Sequence, residues 1–168
     1  MTEIRIDAPR LRFDAPEGWV VQQTVEAWGA VRASEIIDGF TPNVVFVIVR
    51  VGSTHSLESL SAILLEEIAS RYEGLEVRES NTDGTIFDRS VSFRVGSIEI
   101  FQYQRLFLLG SGWPEVNWLV QAQASGPIGQ EVDLRPVFSP ILSSLRVTLD
   151  PGEPRVDRIS SAGQTLLS

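Results

Sequence analysis

Residues 43–51, NVVFVIVRV, constrain the fold of this chain more than any other stretch. Most of the run is β-branched, and β-branched residues favour extended strands. Because the run is apolar almost throughout, it predicts a central strand that is covered on both faces of its sheet. The fold is therefore expected to supply a packed layer on each side of that sheet.

An amphipathic helix is predicted after this strand, over residues 55–74. Ser56 is the predicted N-cap and Gly74 the predicted C-cap. Apolar residues recur at spacings of three and four, which is the period of one helix face. These residues are Leu57, Leu60, Ile63, Leu64 and Ile68.

A second helix is predicted over residues 132–147, with Asp133 as its N-cap. Pro136 fits the first turn of such a helix, where a missing N–H costs no helical hydrogen bond. Pro140 predicts a kink or a delayed start. The residues expected to face inward are Leu134, Val137, Ile141, Leu142 and Leu145.

The other regular segments are predicted as strands joined by turns. They cover residues 10–15, 19–26, 28–35, 75–80, 85–95, 97–109 and 116–124. Asp83-Gly84 and Gly96-Ser97 have the composition of tight hairpin turns. A two-residue loop at Gly96-Ser97 predicts the pairs Arg94–Glu99 and Asp88–Arg105, which place opposite charges face to face.

Residues 13–19, FDAPEGW, predict a strand that ends under an aromatic side chain. Pro16 offers no N–H to a sheet, so the strand is expected to stop there. Gly18 permits a turn conformation that other residues disfavour. Trp19 is then predicted to pack back over the end of the sheet.

Together these elements predict an α+β fold: a mostly antiparallel sheet of about six to eight strands flanked by two main helices, an αβα sandwich. Residues 1–149 are assigned to one domain. Residues 150–168 are rich in turn formers and are expected to form a flexible C-terminal tail.

Three segments carry a resemblance to the PsbP-like fold, shared by the Mog and PsbP proteins and by bacterial DcrB- and LpqN-type proteins. They are FDAPEGW, the strand–helix step NVVFVIVRV…SLESLSAILLEEI, and the terminal VFSPILSSLRV. The chain is most similar to the LpqN group, whose members are typically lipoproteins with a lipidated cysteine, whereas this chain has no cysteine. The resemblance implies non-enzymatic binding, adaptor or chaperone-like work, and it carries over no catalytic residue.

The composition excludes several chemistries. Without cysteine the chain has no disulfide, thiolate metal site or cysteine nucleophile. All basic residues are arginine, which excludes Schiff-base lysine catalysis and a phosphate-loop lysine. The net charge of −8 disfavours nucleic-acid binding. No cofactor and no metal site are predicted.

No apolar run approaches the length of a membrane span, and the first residues lack the pattern of a signal peptide. A cytoplasmic location is therefore expected if Met1 is the native start.

The only histidine, His55, lies beside hydroxyl residues just before the first predicted helix. A hydrolase would need His55 within reach of a nucleophile and an orienting carboxylate, and adjacent residues rarely meet that geometry. A capping or exposed position is expected instead. Glu66 and Glu67 are adjacent on the same helix and so point about 100° apart, which favours a solvated face over a catalytic pair.

GSGWP at residues 110–114 is glycine-rich, but a strand follows it and no helix N-terminus. A hairpin tip is therefore predicted rather than a phosphate loop. Trp113 in that tip is a candidate partner contact, because exposed aromatic residues anchor interfaces. The alternative is that its ring packs onto the end of the sheet.

Four glutamines alternate with apolar residues along two predicted strands: Gln102, Gln104, Gln121 and Gln123. If the strands are neighbours, the four amides form one patch. An exposed, solubilising face is one interpretation. The other is an amide-lined concavity that holds a small ligand or peptide, since buried amides need partners.

The function expected from these observations is a non-catalytic binding or adaptor domain that acts through contacts with an unidentified protein. A carrier of a small molecule or lipid, with a pocket between sheet and helix, is the first alternative. A hydrolase that depends on His55 is the second. Homodimerisation through an exposed sheet edge is compatible with the pattern.

Overall fold

The computed structural model of the chain describes residues 9–22, 24, 27–111 and 115–149. The elements within those ranges are β1 (Pro9–Arg12), β2 (Val20–Gln22), β3 (Gly29–Arg32), β4 (Asn43–Gly52), α1 (Leu57–Arg71), β5 (Glu73–Thr82), β6 (Ile86–Val95), β7 (Ile98–Gly110), β8 (Val116–Pro127), a 3-10 turn (Ile128–Gln130), α2 (Glu131–Ser144) and β9 (Arg146–Leu149).

In the described ranges, seven strands form one antiparallel sheet in the order β2-β3-β4-β8-β7-β6-β5. The predicted α+β fold with a mostly antiparallel sheet is confirmed. β1 and β9 pair in a separate two-stranded sheet. β9 was not predicted: residues 146 and 147 were assigned to the second helix, but they pair with Arg12 and Leu11.

The two helices lie on opposite faces of the main sheet. Ala122 of β8 belongs to the apolar core that includes Phe138 of α2, whereas Leu119 packs with Leu60 of α1. Because side chains alternate between faces along a strand, residues 119 and 122 point in opposite directions. The αβα arrangement follows from this packing.

Helix α1 begins as predicted and ends earlier. Ser56 Oγ accepts from the Ser59 N–H, and Ser59 Oγ accepts from the Ser56 N–H, which is a reciprocal capping box. The predicted C-cap is wrong: the helix closes at Tyr72, and Gly74, with φ +67°, belongs to β5. Ile63 was predicted to face inward but is 52% exposed.

Helix α2 begins two residues before the predicted N-cap. The 3-10 turn feeds directly into it, so Glu131 and Asp133 both occupy the first turn, where carboxylates face the positive end of the helix dipole. Asp133 is therefore not the cap. Pro136 and Pro140 both lie inside the helix, and Phe138, absent from the predicted inward set, is fully buried.

The predicted hairpin registers are confirmed. Asp88 lies opposite Arg105, and Arg94 lies opposite Glu99. Gly96 adopts φ +60° in the turn that joins β6 to β7. The local turn chemistry thus determines how these two long strands pair.

Trp19 closes one end of the core, as the FDAPEGW segment predicts. Gly18 has φ +82°, and the Trp19 N–H returns to Pro16 O at 3.2 Å. The Trp19 ring then meets Phe138 of α2 edge-on, with centroids 6.0 Å apart. The aromatic anchor is therefore present, but the strand ends at Arg12 and not at Pro16, so Pro16 is not what stops it.

Within the described residues, neither helix is long and apolar enough to cross a membrane.

Candidate functional site

β7 and β8 are neighbours in the sheet, so the four glutamines share one face. Gln104 lies directly opposite Gln123, and Gln102 lies opposite Ser125. Gln121 is two residues from Gln123 on β8, so its side chain lies on the same face of the sheet. This is the face that α1 covers, because Leu119, of the same parity, packs against α1.

Most of the glutamine patch is buried. Gln102, Gln104 and Gln121 are 8%, 1% and 2% exposed, and Gln123 is half-buried. The interpretation of these glutamines as solubilising residues on an open face is therefore wrong for three of the four. Buried amides require hydrogen-bond partners, which raises the question of where their bonds go.

The principal partner is Arg89 of β6, which is 5% exposed and lies opposite Gln104. Arg89 Nε and Nη2 both donate to Gln104 Oε1, at 3.0 and 2.6 Å. Arg89 Nη1 donates to Ser61 O at 2.9 Å and to Ser61 Oγ at 3.2 Å on α1. The arginine thus joins the floor of the site to the helix above it.

The amides continue from Arg89 as an oriented chain. Gln104 Nε2 donates to Gln102 Oε1 at 2.5 Å, and Gln102 Nε2 donates to Ser125 Oγ at 2.9 Å. Each amide carbonyl therefore faces the arginine side of the chain. Aligned dipoles of this kind stabilise a buried cation, and they strengthen one another in a low-dielectric interior.

The buried cation has no anionic partner in the described part of the chain: its hydrogen bonds go to Gln104 and Ser61. Burial lowers the pKa of Arg89 from its ordinary value. A buried charge without a counter-charge is costly, so its presence requires explanation. We call Arg89 and the four glutamines the amide–guanidinium cluster.

One member of the cluster is unsatisfied. Among the described residues, no acceptor lies within hydrogen-bond reach of Gln121 Nε2, although the side chain is 2% exposed. Its cross-strand neighbours, Leu106 and Val47, are apolar. An unpaired buried amide costs roughly 1–3 kcal/mol relative to a satisfied one.

The cluster borders an incompletely covered part of the sheet. On the α2 side of β4, Val44 and Phe46 are fully buried. On the α1 side Val45, Val47 and Val49 are only half-buried, and of the three Val49 packs against the apolar cluster of α1. We call these three residues the valine strip. It lies next to Gln123 and Gln121, which are opposite Val45 and Val47.

Arg89 was not predicted as a site residue, although one signal for it existed. In residues 85–95 it alternates with Phe87, Val91 and Phe93, which places it on the apolar face of the strand. An arginine that alternates in step with these apolar residues points towards the core.

The other candidate residues do not join this cluster. His55 is exposed in the turn between β4 and α1, where its N–H donates to Gly52 O at 3.1 Å. Glu66 and Glu67 are exposed on α1. Trp113 lies outside the described residues.

A second polar cluster lies on the opposite face, against α2. Tyr103 OH donates to Glu131 Oε1 at 2.6 Å and accepts from Arg135 Nε at 2.7 Å; Arg78 pairs with Glu131 Oε2. Burial, helped by the hydrogen bond to Glu131, raises the pKa of Tyr103 to about 12. Burial raises the pKa of Glu131, but hydrogen bonds from Tyr103 and Arg78 outweigh that effect and hold it below its ordinary value.

The two edges of the main sheet differ in character. β5 exposes Glu73, Glu76 and Glu79, and its register with β6 shifts twice, which are two features that protect an edge from pairing. At the other edge Val20 is 42% exposed and Val21 is 80% exposed. Trp28, just before β3, is 44% exposed.

No family model matches the chain, and no curated protein matches it. Solved structures do. LpqN of Mycobacterium tuberculosis has a TM-score of 0.66 at 13% identity, with 84% of this chain and 85% of LpqN covered. CyanoP, the PsbP of Synechocystis sp. PCC 6803, has a TM-score of 0.59 at 15% identity, with 88% and 97% covered. A variant of the protein Mog1 has a TM-score of 0.55 at 8% identity, with 94% of each chain covered.

The chain has a PsbP/Mog1-like fold. The resemblance inferred from FDAPEGW, the strand–helix step and the terminal helix is thereby confirmed at the level of fold. Identities of 8–15% show the fold alone. LpqN is involved in cell envelope biogenesis, and that role belongs to LpqN.

Proposed function

We propose that this chain is a non-catalytic binding domain that contacts another protein along the sheet edge formed by β2 and β3. The observation that carries the proposal is the contrast between the two edges. Charges and register shifts protect the β5 edge, where Val77 is exposed among glutamates, whereas the β2 and β3 edge presents Val20, Val21 and Trp28 together to solvent.

An exposed tryptophan near two exposed valines is typical of a surface that binds a partner. Single exposed valines are common, but tryptophan is enriched at interfaces and depleted elsewhere on surfaces. A docked surface at β2 would cover these side chains, and an added strand would pair with the outward-facing backbone of that edge. The PsbP/Mog1-like fold is compatible with such a role.

Photo-crosslinking in the native host tests this proposal. A photoreactive amino acid replaces Val21 in one variant and Ile63, an apolar residue of α1 that is 52% exposed, in a matched control. A defined protein should crosslink at position 21 and not at position 63, and Trp28→Glu should abolish that crosslink. A second copy of the chain in the crosslink would identify a homodimer. Equal labelling at both positions would refute the assignment of the edge.

A second function, binding of a small molecule between α1 and the sheet, is supported by the amide–guanidinium cluster. Among the described residues, no carboxylate pairs with the buried Arg89 and no acceptor pairs with Gln121 Nε2. A ligand that binds only the folded state raises the melting temperature. Thermal denaturation against a chemically diverse library tests this function, and the absence of any stabilising compound would contradict it.

A further inference from the structure

The valine strip and the glutamines meet across the β4–β8 pair. Gln123 is opposite Val45, and Gln121 is opposite Val47. An apolar surface and two amide side chains are therefore adjacent on one face of the sheet. A molecule that lies along the valine strip would place its polar end against these amides.

The chemistry of that polar end follows from the unpaired groups. Gln121 Nε2 offers two N–H groups with no acceptor in the described part of the chain. Within the described ranges, Arg89 offers a positive charge with no carboxylate among its hydrogen-bond partners. The backbones of Arg89 and Gln121 are two strands and two residues apart, about 12 Å. The amide requires an acceptor and the cation favours a negative charge, so one acceptor that carries negative charge would suit both features.

We propose that the site binds an aliphatic monocarboxylate, whose carboxylate accepts from Gln121 Nε2 and whose hydrocarbon body lies on the valine strip. This inference rests on the small-molecule function proposed above. One guanidinium matches one carboxylate in charge. A phosphate monoester, with a charge of roughly −1.5 to −2, would leave excess negative charge in the interior.

The binding step requires a local opening. Gln121 is 2% exposed, so its amide becomes accessible only when α1 or the neighbouring side chains move. Association is therefore expected to be slower than for a preformed surface site. Ser61 holds α1 to Arg89, so the helix and the cation are expected to respond together.

Isothermal titration calorimetry of the full chain with octanoate, octanol and octyl phosphate tests the ligand class. These probes share one hydrocarbon body and differ in the polar end. Octanoate should bind at least about tenfold more tightly than octanol, because a hydrogen bond to a charged group is the stronger one. It should also raise the melting temperature.

Two variants test the residues. Gln121→Leu removes the unpaired amide at similar size, so it should raise the melting temperature of the ligand-free protein and abolish the preference for octanoate. Gln22→Leu, the same change at an exposed amide of β2, is the matched control and should alter neither. Arg89→Met should bring the affinity ratio of octanoate to octanol close to one.

The outcomes separate this inference from the function on which it rests. Equal binding of octanol, or tighter binding of octyl phosphate, would overturn the carboxylate class while small-molecule binding stands. If none of the three probes bound but another compound stabilised the protein, the carboxylate class would likewise be wrong and small-molecule binding would stand. A Gln121→Leu variant that is less stable than the wild type would show that the amide already has a stabilising partner, which contradicts the inference.

Discussion

Arg105 and Asp88 form a two-pronged ion pair across β6 and β7, with Nε–Oδ1 and Nη2–Oδ2 both at 2.8 Å. The remaining nitrogen, Arg105 Nη1, donates to Leu142 O near the end of α2 at 2.8 Å. One side chain therefore ties the hairpin to the helix that covers it. The planar guanidinium is required for this, because an ammonium group cannot make the two parallel bonds and the third together.

Arg105→Lys is expected to destabilise the fold by about 1–2 kcal/mol, a value reduced for the partial exposure of the pair. Urea denaturation followed by circular dichroism measures it. Arg94→Lys is the matched control, since Arg94 occupies an exposed position in the same hairpin. A loss of the same size in the control would show that the geometry of Arg105 is not the cause.

Tyr103→Phe is expected to flatten the alkaline stability profile. The pKa of Tyr103 is raised from 10.0 to about 12 in the folded chain. The raised pKa means that folding favours the protonated phenol. This contribution to the free energy of unfolding is fully present below the pKa of the unfolded chain, 10.0, and is lost as the pH rises through the pKa of the folded chain, about 12. The wild type should therefore lose about 1–2 kcal/mol more than the variant in that window, after allowance for solvent screening.

Denaturation series from neutral to strongly alkaline pH, combined with a tyrosinate absorbance titration, check this expectation. Tyr72→Phe removes the other tyrosine and serves as the control. Parallel profiles for the wild type and Tyr103→Phe would show that the pKa of Tyr103 is not raised in the folded chain.

The parts of the fold that were predictable are those set by local chemistry. The Ser56 cap depends on side chains three residues apart, and the Gly96-Ser97 turn determines which residues of β6 and β7 are opposite. Alternation along β7 and β8 then places the glutamines on one face. Each of these features can be derived from a few neighbouring residues and standard turn geometry.

The missed parts depend on contacts between distant segments. β9 exists because Val147 pairs with Leu11, far away in the chain, and nothing near residue 147 specifies that pairing. The phase of Arg89 was visible, but its burial depends on Ser61 of α1 lying above it. Pattern alone does not distinguish an arginine under a helix from one at an open end of a strand.

Pro140→Ala is expected to stabilise the chain. Pro140 lies inside α2, where it removes a helical N–H, and its side chain is exposed. Alanine restores that hydrogen bond and has a higher helix propensity, so the substitution should raise the free energy of unfolding by about 1–2 kcal/mol. The gain is smaller than the full cost of an interior proline because proline also restricts the unfolded chain. Chemical denaturation measures the change, and a variant no more stable than the wild type would show that α2 accommodates the proline without cost.

Gly126→Ala is expected to destabilise the chain by about 1–3 kcal/mol through overpacking. A Cβ at Gly126 would lie 2.6 Å from Leu134 Cδ1 and 3.0 Å from Phe101 Cε1, at the point where β8 passes beneath α2. Both neighbours are buried and have little room to move. The control is Gly29→Ala, a strand position where no described atom lies within 4 Å of the new Cβ.

The same contact can be tested by double substitution. Leu134→Val lacks the Cδ1 atom that the new methyl group would meet, so Gly126→Ala should cost less in that background than in the wild type. Free energies of unfolding for the four chains give the coupling directly. If the effects of the two substitutions on the free energy of unfolding were additive, the contact between the new methyl group and Leu134 would not be the source of the lost stability. The requirement for glycine at position 126 would then have to come from its backbone conformation.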